Sequence, residues 1–198
     1  MNSTLKYYAD HAQTFFDNTH DKEMHAIYAH LLPLIPKHGH ILDAGCGSGR
    51  DSRFFMDQGY RVTAFDASEE MARLATAYID QEVACHTFDA LDTPERFDAV
   101  WAAASLLHLP YSELAATITH LGHALKEGGY FYASFKHGDR EYSKEGRHFT
   151  CLDEVHLKRL FSELSTLQLV DVWLSDDVRQ ERQGEKWLNL IAKKDVLQ

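Results

Sequence analysis

The chain has 198 residues, 44% hydrophobic and 25% charged, the proportions of one globular domain with a full core. No apolar run reaches the roughly 18 to 20 residues of a bilayer-spanning helix, and "MNSTLKYYADHAQTFF" lacks the basic-then-apolar order of a signal peptide, so a soluble cytoplasmic protein is expected. Thirty acidic against 20 basic residues give a formal charge of −10, which counts against nucleic-acid backbones as partners.

The first forty residues read as two helices, the second with Met24, Ile27, Tyr28, Leu31 and Leu32 on one face and closed by Pro33 and Pro36. From His40 short apolar runs alternate with helical stretches. "HILDAG" is a strand, "RDSRFFMDQG" a helix stopped at Gly59, and "YRVTAFDAS" a second strand. Ser68 is placed to cap the next helix, whose first turn carries Glu69 and Glu70. "EVACHTFDA" and "FDAVWAAAS" follow as strands. A long helix then buries Leu114, Ile118, Leu121 and Leu125 and ends at Gly128 and Gly129. "YFYASF" is a fifth strand, and Thr150 with Asp153 matches the capping pattern of a helix that buries Leu157, Leu160, Phe161 and Leu164. "LQLVDVWL" and "KWLNLIAK" are separated by a loop too short for a crossover helix and should pair antiparallel. The pattern predicts a single α/β domain over 1–198. It has N-terminal helices over 1–39 and a Rossmann-like core over 40–194, built on a seven-stranded, mostly parallel sheet with helices on both faces and a C-terminal antiparallel hairpin.

Cys46, Cys85 and Cys151 form neither a disulfide framework nor a metal knuckle. His120 and His123 lie three apart and His25 and His30 five apart, without the spacing or extra ligands of a zinc site, so no metal is expected.

The stretch "ILDAGCGSGRDS" carries the chemistry. Gly45, Gly47 and Gly49 sit between the first strand and its helix, and glycines so close together need a reason because each loses the most entropy on folding. The dinucleotide fingerprint G-x-G-x-x-G fails at Arg50, and the phosphate loop G-x-x-x-x-G-K-[ST] fails as well. A tight turn with no ligand is the plainer reading.

With "LDAGCGSG", Asp66 closing "VTAFDAS", Asp89 in "FDA" and the segment "FDAVWAAASLLHL" in this order, the sequence resembles the class I S-adenosylmethionine-dependent methyltransferases over residues 40 to about 194. "DAGCGSGRDS", "ASLLHLP" and "SFKHG" resemble the small bacterial branch that includes tellurite-resistance methyltransferases. The resemblance implies S-adenosylmethionine as cofactor, with Gly45, Cys46, Gly47 and Gly49 forming the close-approach loop. It implies Asp43 holding the cofactor's amino group, Asp66 the ribose hydroxyls and Asp89 the adenine amino group. Ala67, Met71, Ala90 and Leu91 would wall the ring, and Ala102 to Ser105 would leave room for the sulfonium. Related enzymes cover the cofactor with an N-terminal helix, so Tyr7, Tyr8 and Phe15 are candidates for a lid. A helix cap or turn residue is the lesser alternative for each aspartate.

Methyl transfer needs the nucleophile held about 3 to 3.5 Å from the methyl group, and a base only if the acceptor must lose a proton. His108, after the fourth strand, is the expected base, titrating near neutral pH. Lys136, His137, Arg140, Lys144, Arg147, Arg179 and Arg182 cluster in the segments after strand five and in the terminal loop. Lys136, Arg147 and Arg179 are the expected contacts for a small polar or anionic acceptor, because arginine suits flat, forked anions. The [DNS]-P-P-[YF] motif that grips a flipped base in DNA methyltransferases is replaced by "WAAASLLHLPY". A small-molecule methyltransferase is the leading expectation. A non-catalytic cofactor-binding sensor or partner module, a nicotinamide enzyme, and an RNA or nucleobase methyltransferase stand as alternatives.

Overall fold

The computed structural model describes residues 3–179, 182 and 184–196; residues 180, 181 and 183 of the charged loop lie outside them. Helices α1 (Ser3–Thr19) and α2 (His25–Leu31) come first. The alternating core follows as β1 (His40–Ala44), α3 (Arg50–Asp57), β2 (Arg61–Asp66), α4 (Glu69–Ile79), β3 (Ala84–Cys85), β4 (Phe97–Ala102), α5 (Tyr111–His123) and β5 (Leu125–Lys136). A small hairpin, β6 (Glu141–Lys144) and β7 (Arg147–Thr150), precedes α6 (Glu154–Ser162), β8 (Leu167–Asp176) and β9 (Lys186–Lys194).

The main sheet has seven strands in the order β3-β2-β1-β4-β5-β9-β8. The first five are parallel, while β9 runs antiparallel to both β5 and β8. Alternation along each strand splits the core in two. Ile41, Val62, Ala64, Ala99 and Trp101 pack under α2, α3 and α4, whereas Leu42, Ala44, Phe97, Val100 and Ala102 pack under α5 and α6. The strand order reverses between β1 and β4, and a crevice opens there at the carboxyl ends of the strands, where open α/β sheets hold their ligands. No helix among the described residues is long and apolar enough to cross a membrane.

The expected architecture is observed, with differences at element ends. β3 has two residues, because the chain leaves the sheet after Cys85 and turns through a 3-10 segment at Phe88–Ala90. α5 ends at His123, and Leu125, expected as the last helical core position, opens β5 opposite Phe97. The cap of α6 is Asp153, which accepts from the His156 N–H, while the Thr150 hydroxyl donates to the Leu109 carbonyl instead. The Ser68 side chain caps α4 by accepting from the Met71 N–H. The β6–β7 hairpin lies in a segment expected to be loop. Its two-residue turn, Glu145 (φ 53°) and Gly146 (φ 79°), has both φ values positive, the geometry that matches strand twist.

Candidate cofactor and acceptor site

The β1–α3 loop forms the floor of a cavity of about 570 Å³, lined among others by Gly45, Cys46, Gly47, Ser48, Asp66, Ala67, Met71 and Asp89. Gly45 has φ 78°, and a Cβ there would come within 2.6 Å of Ser105 Cβ, so only glycine lets the loop after β1 close against the loop after β4. Asp66 ends β2 at the cavity wall. Its Oδ2 accepts from the Gly47 N–H and its Oδ1 from the Ser68 N–H, both at 2.9 Å. Burial pushes this carboxyl above the usual range, and those backbone donors work against the rise. A carboxylate has about four acceptor positions, so Asp66 retains capacity for two hydroxyl donors from the cavity.

Beneath this floor lies a buried charge network. Asp51 takes Arg50 Nε (2.7 Å) and Nη2 (3.1 Å), the Tyr28 hydroxyl (2.6 Å) and Trp101 Nε1 (2.8 Å). Burial opposes its ionisation, but the Arg50 guanidinium and these donors hold the Asp51 carboxyl below its ordinary value. Asp51 thus ties the start of α3 to α2 and β4. Asp43 is 2% exposed and accepts from the Ser52 hydroxyl at 2.6 Å; burial and the charge of Asp51 raise it to about 8.

Several expected cofactor contacts lie elsewhere. Asp43, Gly49, Ala90 and Ala102 are outside the cavity lining. Asp43 is turned into the core beside Ser52. Gly49 (φ 76°) serves packing, since a Cβ would stand 3.0 Å from Ile79 Cγ2 and 3.2 Å from Ala75 Cβ on α4. Ala90 is exposed on the 3-10 turn, and Ala102 is fully buried, so Ala103, Ala104 and Ser105 border the space instead.

Helix α1 covers the cavity. A Cβ on Gly47 would lie 3.4 Å from the Phe15 ring, which places that ring directly over the loop. Tyr8 reaches the opposite rim, with its hydroxyl 2.8 Å from His108 Nε2. At its start the helix is held by Thr4, whose Oγ1 accepts from the His148 N–H at 3.0 Å, and near its end by Phe16 and His20 against Tyr78 of α4. α1 bends at His11 (φ −121°, ψ 16°), where the ring Nδ1–H donates to the Tyr7 carbonyl at 2.9 Å.

His108 lines the cavity, but not as a near-neutral base. Burial pushes its pKa down to about 4. Nδ1 lies 2.7 Å from the His148 carbonyl, which can only accept, so Nδ1 carries the proton and Nε2 accepts from Tyr8. Its one lone pair is therefore engaged. Burial likewise raises the Tyr8 hydroxyl to about 12, keeping the donor protonated. His108 fastens the covering helix.

Lys136, Arg147, Arg179 and Arg182 line the far end of the cavity, whereas His137, Arg140 and Lys144 do not. Lys136 pairs with Glu185, and Arg179 grips Asp177 through Nε and Nη2 at 2.9 and 2.7 Å. Arg147 is 7% exposed, has its guanidinium carbon 3.9 Å from the centroid of the Tyr7 ring, and donates from Nη2 to Glu145 at 2.7 Å. Its Nε is buried without a partner. Phe149 and Trp187 complete this end of the cavity. The sequence reading missed both aromatic residues and the Asp51 network, whose members are far apart in the chain.

The profile of the family described as methyltransferase domain matches residues 41–129, the segment that builds the loop, Asp66 and the β4 rim. Over residues 41–129 the chain is similar to a methyltransferase domain. The cofactor of such a domain is S-adenosylmethionine. The ubiquinone biosynthesis O-methyltransferase of Xylella fastidiosa (strain 9a5c) is 30% identical over 125 residues, covering 57% of this chain and 50% of that protein. The chain thus spans about half the length of the curated relatives it matches. The Burkholderia thailandensis 1,6-didemethyltoxoflavin-N1-methyltransferase, solved with 1,6-didemethyltoxoflavin and S-adenosylhomocysteine bound, superposes with a TM-score of 0.75 at 25% identity, covering 97% of this chain and 85% of that one. The [4+2]-cyclase SpnF shares the fold, with a TM-score of 0.68 at 20% identity over 87% of this chain and 80% of that one.

Proposed function

We propose that the protein transfers the methyl group of S-adenosylmethionine to a small polar or anionic acceptor enclosed beneath α1. The observation that carries this reading is the Asp66 carboxylate. It is fixed by two backbone donors at the cavity wall, beside a loop that a single Cβ at Gly45 would block. Asp66 would hold the ribose hydroxyls, Gly45 to Gly47 the main-chain face of the cofactor, and Ala67, Met71 and Asp89 its adenine end. The cofactor supplies an electrophilic methyl group on a sulfonium.

The cavity volume falls within the range for small-ligand sites, and the covering helix favours an acceptor of modest size over a polymer. The chain's own contribution is positioning and exclusion of water. Phe15 and Tyr8 close the roof, Asp51 and Arg50 stiffen the floor, and Phe149 and Trp187 face the acceptor's apolar part. Because the lone pair of His108 is engaged, the reading favours an acceptor atom that is already nucleophilic at neutral pH.

Calorimetry with S-adenosylhomocysteine, followed by an acceptor screen with labelled methyl donor across thiols, carboxylates, oxyanions and amines, tests the proposal. Micromolar binding and labelled product are expected. Absence of S-adenosylhomocysteine binding by folded protein overturns the reading, and binding without product from any acceptor replaces it with a sensor.

A further inference from the structure

A second, smaller cavity of about 120 Å³ adjoins the first on the flank of α1. Tyr7, His11, Thr14 and Asn18 form a single stripe along the helix and face Arg147, Arg179 and Arg182. The three arginines, with Phe15 and Thr19, also line the large cavity, so the two spaces meet at the guanidinium groups.

Three arginines at one small space are unexpected in a chain of net charge −10. Asp177 holds Arg179 through two hydrogen bonds, whereas Glu145, beside Arg147, is 57% exposed and Glu185 is 3.9 Å from Arg182. Arg147 is the decisive residue. Its guanidinium carbon lies 3.9 Å from the centroid of the Tyr7 ring, its Nε is a buried donor without a partner, and the residue lines both cavities. A buried charged group whose hydrogen-bonding capacity is not filled is costly, and an anion beside it offsets that cost. The helical stripe adds the Thr14 hydroxyl and the Asn18 amide, short polar groups suited to the outer oxygens of an anion.

We propose that the small cavity is an anion subsite that receives a carboxylate or phosphate group carried by the methyl acceptor, whose reactive part lies in the large cavity. This rests on the methyltransferase reading above and assigns the acceptor a class: a molecule whose methylated part occupies the large cavity and whose anionic group reaches past Arg147 into the small one. The room suffices for one polyatomic anion and excludes a nucleoside.

The test is calorimetric titration of inorganic phosphate, phenyl phosphate and benzoate into the full chain, with and without saturating S-adenosylhomocysteine. One saturable anion per chain is expected, compatible with S-adenosylhomocysteine. Phenyl phosphate should bind at least tenfold tighter than inorganic phosphate, because its ring reaches the large cavity. Arg147→Gln and Asn18→Asp should each weaken anion binding at least tenfold. Asn18→Asp lies on the exposed outer turn of the helix and should leave S-adenosylhomocysteine affinity intact, which guards against a folding artefact. No saturable anion binding overturns the subsite, as does competition between anion and S-adenosylhomocysteine. Equal affinity for phosphate and phenyl phosphate indicates a free ion and overturns its assignment to the acceptor. If S-adenosylhomocysteine fails to bind, the methyltransferase reading falls, while the titrations without it still decide whether the cavity takes an anion.

Discussion

Replacing His108 with glutamine should remove a defined part of the protein's sensitivity to acid. In the folded chain burial lowers the His108 pKa from 6.5 to about 4. The unfolded chain therefore holds more protons than the folded one between those values. The stability due to a neutral His108 is complete above pH 6.5 and is lost as pH falls through the window. At about 1.4 kcal/mol per unit, the full shift corresponds to about 3 kcal/mol. Protonation would also give Nε2 a hydrogen where it now accepts from Tyr8, so the loss should be felt at the covering helix. Urea unfolding of the wild type and of His108→Gln at half-unit steps from pH 7.5 to 4 isolates the residue. Taking the difference matters because Asp43, raised to about 8, has the opposite sign: its contribution is present at low pH and lost as pH rises through that value. The two curves should run parallel above pH 6.5, then converge or cross by about 3 kcal/mol towards pH 4. Parallel curves over the whole range would show that His108 is not held neutral by burial.

Three more outcomes follow from the site. Asp66→Ala should weaken S-adenosylhomocysteine binding by about 3–6 kcal/mol, two hydrogen bonds to a charged group at about 1.5–3 each, and a calorimetric loss below tenfold would remove Asp66 from the ribose site. Gly49→Ala should cost about 1–3 kcal/mol in urea unfolding through its left-handed backbone and the Ile79 contact, with S-adenosylhomocysteine affinity in the surviving folded protein unchanged. A large loss of affinity would return Gly49 to the cofactor loop. Tyr8→Phe should speed amide exchange across residues 4–16 and leave β1 and β4 protected; uniform exchange rates would show that the His108 contact does not hold α1.

The glycine loop, Asp66 and the terminal antiparallel pair were legible because each has a local cause: a turn after an apolar run, an acid at a strand end, a linker too short to cross over. The misreadings share another origin. Leu125 continues the helical spacing of α5, and only its pairing opposite Phe97 draws it into a strand. The β6–β7 turn uses Glu145–Gly146 where Asn-Gly would have announced a hairpin, and β6 is largely exposed, so no apolar alternation marks it. That hairpin brings Arg147 to the cavity. Asp43 and Gly49 have the expected residue types, but tertiary packing turns one to Ser52 and the other to Ile79 and Ala75. His108 was found by its place after β4, while its neutral form comes from burial and its Nδ1 proton from the His148 carbonyl forty residues later.

The clasp of α1 over the cavity on both sides of its bend, Phe15 above Gly47 and Tyr8 on His108, has a kinetic corollary. On the methyltransferase reading, release of spent cofactor should quicken when either contact opens, so its residence time should follow the opening rate of one helix. Any substitution that loosens either contact should trade tightness for turnover frequency along one line, whichever side it touches.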